Sequence, residues 1–149
     1  MNNLANFNDK LRLAVENHKN KKLDIAEKLY NELLTIQPNN PQIIFYFATL
    51  LAQQNKFDAA KNYFKKLSIN SPNDPNVNTN LGNIYFQTGD FKNAIKYFNK
   101  VIEQKPDFAQ AYFNKGILLN NLRNYKDALE CFKKVFEIEP NNNIALNII

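Results

Sequence analysis

Apolar residues along this chain recur at the three- and four-residue spacing of amphipathic helices, without the strict alternation that is typical of strands. The segment 81–106, LGNIYFQTGDFKNAIKYFNKVIEQKP, shows two such apolar stretches with a break between them. At the break, Gly89 can adopt the positive φ found after a helix end, and Asp90 can cap the helix that follows. The pattern predicts a first helix at about 75–88 and a second at about 91–104.

The same pattern occurs four times with a constant period, so the chain is an array of repeats. Six positions keep one type of side chain: a small residue (Ala14, Ala48, Gly82, Gly116), a bulky apolar residue (Leu23, Phe57, Phe91, Tyr125), an alanine (Ala26, Ala60, Ala94, Ala128), an aromatic (Tyr30, Phe64, Phe98, Phe132), an aliphatic (Leu33, Leu67, Val101, Val135) and a proline (Pro38, Pro72, Pro106, Pro140). The predicted repeats are 7–40, 41–74, 75–108 and 109–142, between an N-terminal extension at 1–6 and a partial capping helix or the start of a fifth unit at 143–149.

Each repeat is expected to contribute two helices to a shared core, because one helix pair cannot bury its apolar face alone. We expect the small residue of the first helix, such as Gly82, to pack on the small residue of the second, such as Ala94. The aromatics would then fill the space between neighbouring pairs. Further turn and cap residues are predicted at Asn40 before Pro41, Asn55, Asp74 before Pro75, and Asn124.

Four 34-residue helix–turn–helix units in register resemble the tetratricopeptide repeat. The third repeat matches the family pattern at Leu81, Gly82, Tyr85, Ala94, Phe98 and Pro106. It has Val101 where the family has a later alanine, and the first repeat lacks both the Leu-Gly pair and the tyrosine. The resemblance implies an all-α fold, an α-solenoid of stacked antiparallel helix pairs in a right-handed superhelix. It also implies a concave groove, lined by the first helices, that takes extended peptides or helices.

The groove-facing positions under this resemblance are rich in amides and aromatics. Amides both donate and accept hydrogen bonds, so they suit a peptide backbone, while aromatics can act as apolar anchors. An alternative remains open: some aromatics pack between helices, and asparagine is simply abundant in this chain. The predicted peptide-binding residues are Phe45, Tyr46, Thr49, Asn76, Asn80, Asn83, Phe86, Gln87, Gln110, Phe113, Asn114 and Asn121.

The main prediction is a non-catalytic scaffold that binds a protein or peptide partner of unknown identity. The cationic clamp with which some family members bind chaperone-tail carboxylates is absent from the corresponding positions. An asparagine ladder like that of the O-linked N-acetylglucosamine transferase repeat arrays is half present, at Asn80 and Asn114 but not at Arg12 or Tyr46. The alternative function is therefore the N-terminal substrate-recognition arm of a larger transferase, such as a glycosyltransferase.

The net charge of +5 raises the question of a nucleic-acid partner. Only Arg12 and Arg123 among the 19 basic residues are arginines, whereas nucleic-acid sites favour arginine for its bidentate contacts. Heavy use of lysine, asparagine and isoleucine is also typical of an AT-rich genome. We therefore expect no nucleic-acid partner; lysine-mediated binding, the weaker rival, would depend steeply on salt.

The sequence contains few residues that could form a catalytic, cofactor or metal site. His18 is the single histidine, which excludes a multi-histidine metal site, and we expect it to be a solvated surface residue. Cys131 is the single cysteine, so it cannot form an internal disulfide, and its expected role is packing. No glycine-rich phosphate loop is present. We predict no catalytic residue, cofactor or metal.

No apolar run approaches the roughly 18 residues of a membrane span, and the N-terminus lacks the apolar core of a secretory signal. A cytoplasmic protein is the prediction. The last residues, NNNIALNII, end in the apolar residues Ile148 and Ile149, whereas the terminal helix of a solenoid normally has a polar outer face. Three explanations are open: a minimal cap over the fourth repeat, self-association through this end, or an N-terminal piece of a longer protein, which we favour.

Overall fold

Eight α-helices make up the described part of the chain, which contains no strand. The computed structural model describes residues 2–140, with side chains from residue 6 onward. The helices are α1 (Asn2–Lys19), α2 (Leu23–Ile36), α3 (Pro41–Gln53), α4 (Phe57–Asn70), α5 (Pro75–Gln87), α6 (Phe91–Gln104), α7 (Ala109–Asn121) and α8 (Tyr125–Ile138). The two helices predicted for the third repeat are confirmed to within one residue. The helix α1 begins five residues before the predicted first repeat, and the predictions for 143–149 lie outside the described residues.

The chain divides into two units, unit 1 from Met1 to Asn70 and unit 2 from Ser71 to Ile149. Unit 1 contains α1 to α4 and unit 2 contains α5 to α8. In each unit the helices of a pair pack on each other, and the second helix of the first pair packs on the first helix of the next, α2 on α3 and α6 on α7. Helix pairs packed in series are the arrangement expected of an α-solenoid.

The turn inside each helix pair contains one residue with positive φ, at the same position of every repeat. Gly89 (φ 80°) and Asn55 (φ 60°) were predicted to adopt this conformation and do so. Lys21 and Arg123 (both φ 61°) adopt it as well, although neither side chain favours the left-handed region. The turn geometry is therefore imposed by the helix pair, and these two residues adopt it at a conformational cost.

Side-chain caps begin several helices. Four predicted caps accept hydrogen bonds from backbone N–H groups in the first turn of the helix that follows: Asn40, Asp74, Asp90 and Asn124. The bonds satisfy N–H groups that have no partner within the helix. Proline follows the first two caps, where its missing N–H is not needed. These local signals set the helix starts independently of packing.

The small residues of α5 and α7 lie against aromatic rings. A Cβ atom on Gly82 would lie 2.5 Å from Cε1 of Phe98, and one on Gly116 would lie 2.7 Å from Cε1 of Phe132. The nearest neighbour of Gly82 is therefore the ring of Phe98, which lies one helical turn after the predicted partner Ala94. Only glycine leaves room for a fully buried ring at this distance.

Two of the repeated aromatics, Tyr30 and Phe98, connect neighbouring helix pairs within their units, as predicted. Phe98 of α6 is fully buried and forms one cluster with Ala94 and with Leu118 of α7. Tyr30 and Phe64 hold the equivalent positions in unit 1 and are also fully buried. Burying a side chain of this size contributes roughly 1.5–3 kcal/mol, so these rings are a major source of each unit's stability.

Candidate functional site

The predicted binding residues all lie on first helices, three in unit 1 and nine in unit 2. We call the face formed by α1 and α3 the unit 1 face, and the face formed by α5 and α7 the unit 2 face; the two helices of each face contact each other. Three of the predicted residues, Phe45, Tyr46 and Thr49, lie on α3, and the other nine lie on α5 and α7. The two faces are described separately.

An amide network joins α5 and α7 on the unit 2 face. Nε2 of Gln110 donates to Oδ1 of Asn114 (2.8 Å), and Nδ2 of Asn114 donates to Oδ1 of Asn83 on the other helix (2.7 Å). Each bond has the length of a good neutral hydrogen bond. The structure thus brings together three of the predicted residues, and the pairing sets the orientation of their amide groups.

A second amide on this face is oriented by its own helix. Nδ2 of Asn80 donates to the backbone oxygen of Asn76 (2.9 Å). Because a carbonyl can only accept, the Asn80 amide nitrogen must point toward it, and Oδ1 is left as an acceptor. The side chains of Gln87 and Asn121 are exposed at the C-terminal ends of α5 and α7.

The three predicted phenylalanine anchors are partly buried against the second helices. The ring centroids lie 5.7 Å apart for Phe45 and Phe64, 6.1 Å for Phe86 and Phe91, and 6.1 Å for Phe113 and Phe132. These tilted and edge-on contacts are those that aromatic rings prefer in a core. The alternative interpretation, that these aromatics pack between helices, therefore applies to all three, and each presents only part of its ring to solvent.

The unit 1 face contains a cleft of about 410 Å³ between α1 and α3. Apolar side chains of Leu11, Val15 and Tyr46 line it together with polar and charged ones: Asn8, Arg12, Glu16, Lys19 and Gln42. Glu16 was not selected from the sequence, although its position one turn after Arg12 places it on the same side of the helix. Thr49 lies on α3 with its hydroxyl donating to the backbone oxygen of Phe45 (2.8 Å).

His18 connects the three helices α1, α2 and α3. Its Nδ1 lies 3.4 Å from the hydroxyl of Tyr30, and its Nε2 lies 3.2 Å from Oε1 of Gln53. The Gln53 oxygen can only accept, so Nε2 carries the hydrogen and Nδ1 accepts from the tyrosine. Burial lowers the pKa of His18, and the bond to Gln53 opposes the shift. His18 is half-buried and not fully solvated as expected, because α2 and α3 pack beside a side chain that one helix alone would expose.

Tyr30 contacts both His18 and Tyr46, which lines the cleft. Its ring is fully buried and stacks on Tyr46 at 6.3 Å between centroids with an interplanar angle of 23°. Burial raises the pKa of the Tyr30 hydroxyl, so the group stays protonated. The wall of the cleft is thus supported by a chain of contacts that begins at His18.

Asn78 was not selected from the sequence either, and it is one of the two buried polar side chains among the described residues. Its Nδ2 donates to the backbone oxygen of Pro72 (2.9 Å), which ties the start of α5 to the preceding loop. Its Oδ1 has no hydrogen-bond partner. Asn78 therefore acts in the packing of unit 2, and its position away from the face explains why the groove pattern did not include it.

The remaining reactive groups lie in packed or ordinary surroundings. Cys131 is buried, and burial raises the pKa of its thiol, which keeps it in the unreactive protonated form. Among residues 2–140, no group of three His, Cys, Asp or Glu side chains could hold a metal ion. No helix in that part of the chain is long and apolar enough to cross a membrane.

Matches to models of known protein families identify the family of this chain. A tetratricopeptide repeat model matches residues 75–108 and again 109–142, and a second tetratricopeptide repeat model matches residues 18–84. This chain belongs to the tetratricopeptide repeat family. The matches extend from the end of α1 to the end of the described residues, and they agree with the helix pairs seen in both units. No curated protein sequence matches the chain.

Solved tetratricopeptide repeat and related structures share the fold. Residues 41 to the end of MamA from Desulfovibrio magneticus RS-1 are 17% identical, with a TM-score of 0.80 over 91% of this chain and 77% of that chain. TTC0263, a TPR protein of Thermus thermophilus, is 18% identical (TM-score 0.80, 90% and 75%). A tetratricopeptide repeat protein from Parabacteroides merdae ATCC 43184 is 18% identical (TM-score 0.76, 93% and 56%). At these identities the likeness establishes an all-α solenoid fold and nothing about partners.

Proposed function

We propose that this tetratricopeptide repeat protein is a non-catalytic scaffold for protein–protein interaction that binds an extended peptide or a helix on its first-helix faces. The observation that carries the proposal is the amide network of Gln110, Asn114 and Asn83 on the unit 2 face. It holds neutral donors and acceptors in a set orientation, as recognition of a polypeptide backbone requires.

The network retains hydrogen-bonding capacity for a partner. A side-chain amide has two N–H donors and an oxygen with two lone pairs. In the network Asn114 uses one N–H and accepts one bond, while Asn83 uses only its oxygen. Oδ1 of Asn80 is oriented as an acceptor by the bond to its own helix. A peptide group, with one donor and one acceptor, can complement this arrangement without any particular side chain.

The cleft on the unit 1 face supports the same function in a different way. Its apolar residues Leu11, Val15 and Tyr46 can receive an apolar side chain, and the stacking of Tyr46 on Tyr30 keeps that wall in place. Apolar anchors in pockets contribute most of the affinity in typical interfaces. We therefore assign side-chain recognition to unit 1 and backbone recognition to unit 2.

The test is binding by the whole chain. Peptides are selected on it from a random displayed library, and their dissociation constants are measured by fluorescence anisotropy. The double variant Asn80→Ala with Asn114→Ala removes two amides and should weaken binding about 10–100-fold, because each lost hydrogen bond costs about 0.5–1.5 kcal/mol. Thermal unfolding of both proteins shows whether the variant remains folded.

A matched control removes two exposed asparagines from second helices. Asn31 of α2 and Asn62 of α4 are exposed and lie on neither face, so Asn31→Ala with Asn62→Ala should leave the affinity unchanged. Equal affinities for the wild type and the Asn80→Ala, Asn114→Ala variant would exclude the amide face as the binding site. The transferase-arm alternative stays a prediction, since no observation in the described residues favours it over a scaffold.

A further inference from the structure

The unit 2 face differs from an ordinary protein surface in its lack of charge. Within its two helices, α5 contains no charged residue and α7 contains one, Lys115. Lys115 is partly buried, and its charge acts on the thiol of Cys131 in α8, the second helix of the same pair. The polar groups of the face are therefore neutral amides, in a chain of which 22% of the residues are charged.

Neutral amides discriminate against charge on a partner. A charged side chain that docks against them loses hydration, and the one charge on α5 and α7, that of Lys115, is partly buried and acts on Cys131 of α8. The internal bonds increase this effect, because Asn114 and Asn83 are already oriented toward each other rather than free to turn around an ion. A backbone amide or a hydroxyl meets no such penalty, since its hydrogen bonds to water are replaced in kind.

We infer that the unit 2 face selects an uncharged, extended polypeptide segment, one whose side chains against α5 and α7 carry no charge. The inference rests on the proposed function and specifies the class of partner. Selectivity arises from the exclusion of charged segments and not from attraction. Binding to this face should consequently be insensitive to salt, in contrast to a lysine-mediated contact with a polyanion.

The experiment uses the full chain and the same random peptide library, with the enriched sequences compared to the unselected pool. We expect Asp, Glu, Lys and Arg to be depleted among peptides whose binding is lost in the Asn80→Ala, Asn114→Ala variant. For such a peptide, the dissociation constant should change less than about twofold between low and high salt, because no ion pair is screened.

A nearly isosteric substitution adds charge without removing the network. Asn83→Asp keeps an oxygen that can accept from Nδ2 of Asn114 but places one negative charge on the face. Selection on this variant should enrich Lys and Arg, and it should bind the uncharged peptides about 10-fold more weakly. Asn83→Ala is the comparison: it shortens the side chain without adding charge, so it should not enrich basic peptides.

The outcomes separate the two proposals. Enrichment of charged peptides whose binding is lost in the Asn80→Ala, Asn114→Ala variant would overturn the inference and leave the proposed function standing. The inference would also be overturned, and the proposed function would stand, if only substitutions on the unit 1 face changed the dissociation constants of the selected peptides. If the folded wild-type chain enriches no peptide at all, the proposed function fails together with the inference.

Discussion

Units 1 and 2 are built from the same repeat, yet their first-helix faces offer different chemistry. The unit 1 face has a cleft with an apolar lining and a charged rim that includes Arg12, Glu16 and Lys19. The unit 2 face has neutral amides joined across α5 and α7. The residues that shape the core recur in both units, whereas the residues on the faces do not. Packing thus constrains one set of positions and leaves the other free for recognition.

The cores differ as well, at the small residue of the first helix. Unit 1 has alanine there, at Ala14 and Ala48, and unit 2 has glycine, at Gly82 and Gly116. In unit 2 the aromatic ring lies where a methyl group would be. The same sequence position therefore carries different packing in the two units, and substitutions of the small residue and of the aromatic test how far this difference extends.

The largest effect is expected from removal of a central ring. Phe98→Ala should lower the free energy of unfolding by about 3–5 kcal/mol, through lost burial and a cavity beside Gly82. The matched change in unit 1, Phe64→Ala, should cost less, because the methyl group of Ala48 already occupies part of the space at that position. Urea denaturation of the two variants gives the comparison. Equal costs would show that the two cores pack alike, and a larger cost for Phe64→Ala would contradict the predicted order.

A smaller effect is expected from exchanging the small residues. Gly82→Ala should destabilise by about 1–2 kcal/mol, since overpacking against Phe98 exceeds the gain of about 1 kcal/mol in helix propensity. The reverse change in unit 1, Ala48→Gly, should cost about 1 kcal/mol from helix propensity, and the loss of a fully buried methyl group adds to that cost.

Thermal and urea unfolding measure both changes. Combining Gly82→Ala with Phe98→Leu should cost less than the sum of the two single changes, because the smaller side chain leaves room for the methyl group. Strict additivity would mean that Gly82 and the ring are not in contact.

Substitutions to or from glycine at the positive-φ turn positions should change the stability of either unit. Lys21→Gly and Arg123→Gly should each stabilise by about 0.5–1 kcal/mol, since a left-handed residue other than glycine costs about 1–2 kcal/mol and part of the gain is lost to unfolded-state entropy. Gly89→Ala should destabilise by a similar amount. Differential scanning calorimetry on the three variants checks the signs, and a lower melting temperature for Arg123→Gly would contradict the backbone argument.

The smallest effect is a pH dependence confined to unit 1. Burial lowers the pKa of His18 below 6.5, so the unfolded state binds this proton more tightly. Its contribution to stability is present above pH 6.5 and is lost as the pH falls toward the lower pKa of the folded state. We expect the melting temperature to fall modestly between about pH 7.5 and about pH 5.5.

His18→Gln should remove that fall, and a pH response that persists in this variant would assign it to another group. The pKa values of Glu27 and Glu32 are lowered by hydrogen bonds to Lys56 and Lys10, respectively. Their contribution is lost as the pH falls below 4.5, which lies under the pH range used for His18. Amide hydrogen exchange can locate the change, since unit 2 contains no histidine.

The sequence by itself determined the helices, their order and the repeat. Caps such as Asn40 and Asp90 and the left-handed turn at Gly89 act within a few residues, so they can be read directly along the chain. The constant period then placed each helix pair in the same register as the others. Which of these positions line a groove was inferred from the resemblance to the tetratricopeptide repeat, and it stays a prediction.

Only the tertiary structure decided what those residues touch. Gly82 packs closely on the ring of Phe98, His18 joins three helices, and the amide of Asn114 reaches Asn83 across 31 positions of sequence. Each of these contacts depends on how closely two helices approach and at what rotation. That approach results from the packing of all the large side chains together, so the pattern of any single helix does not contain it.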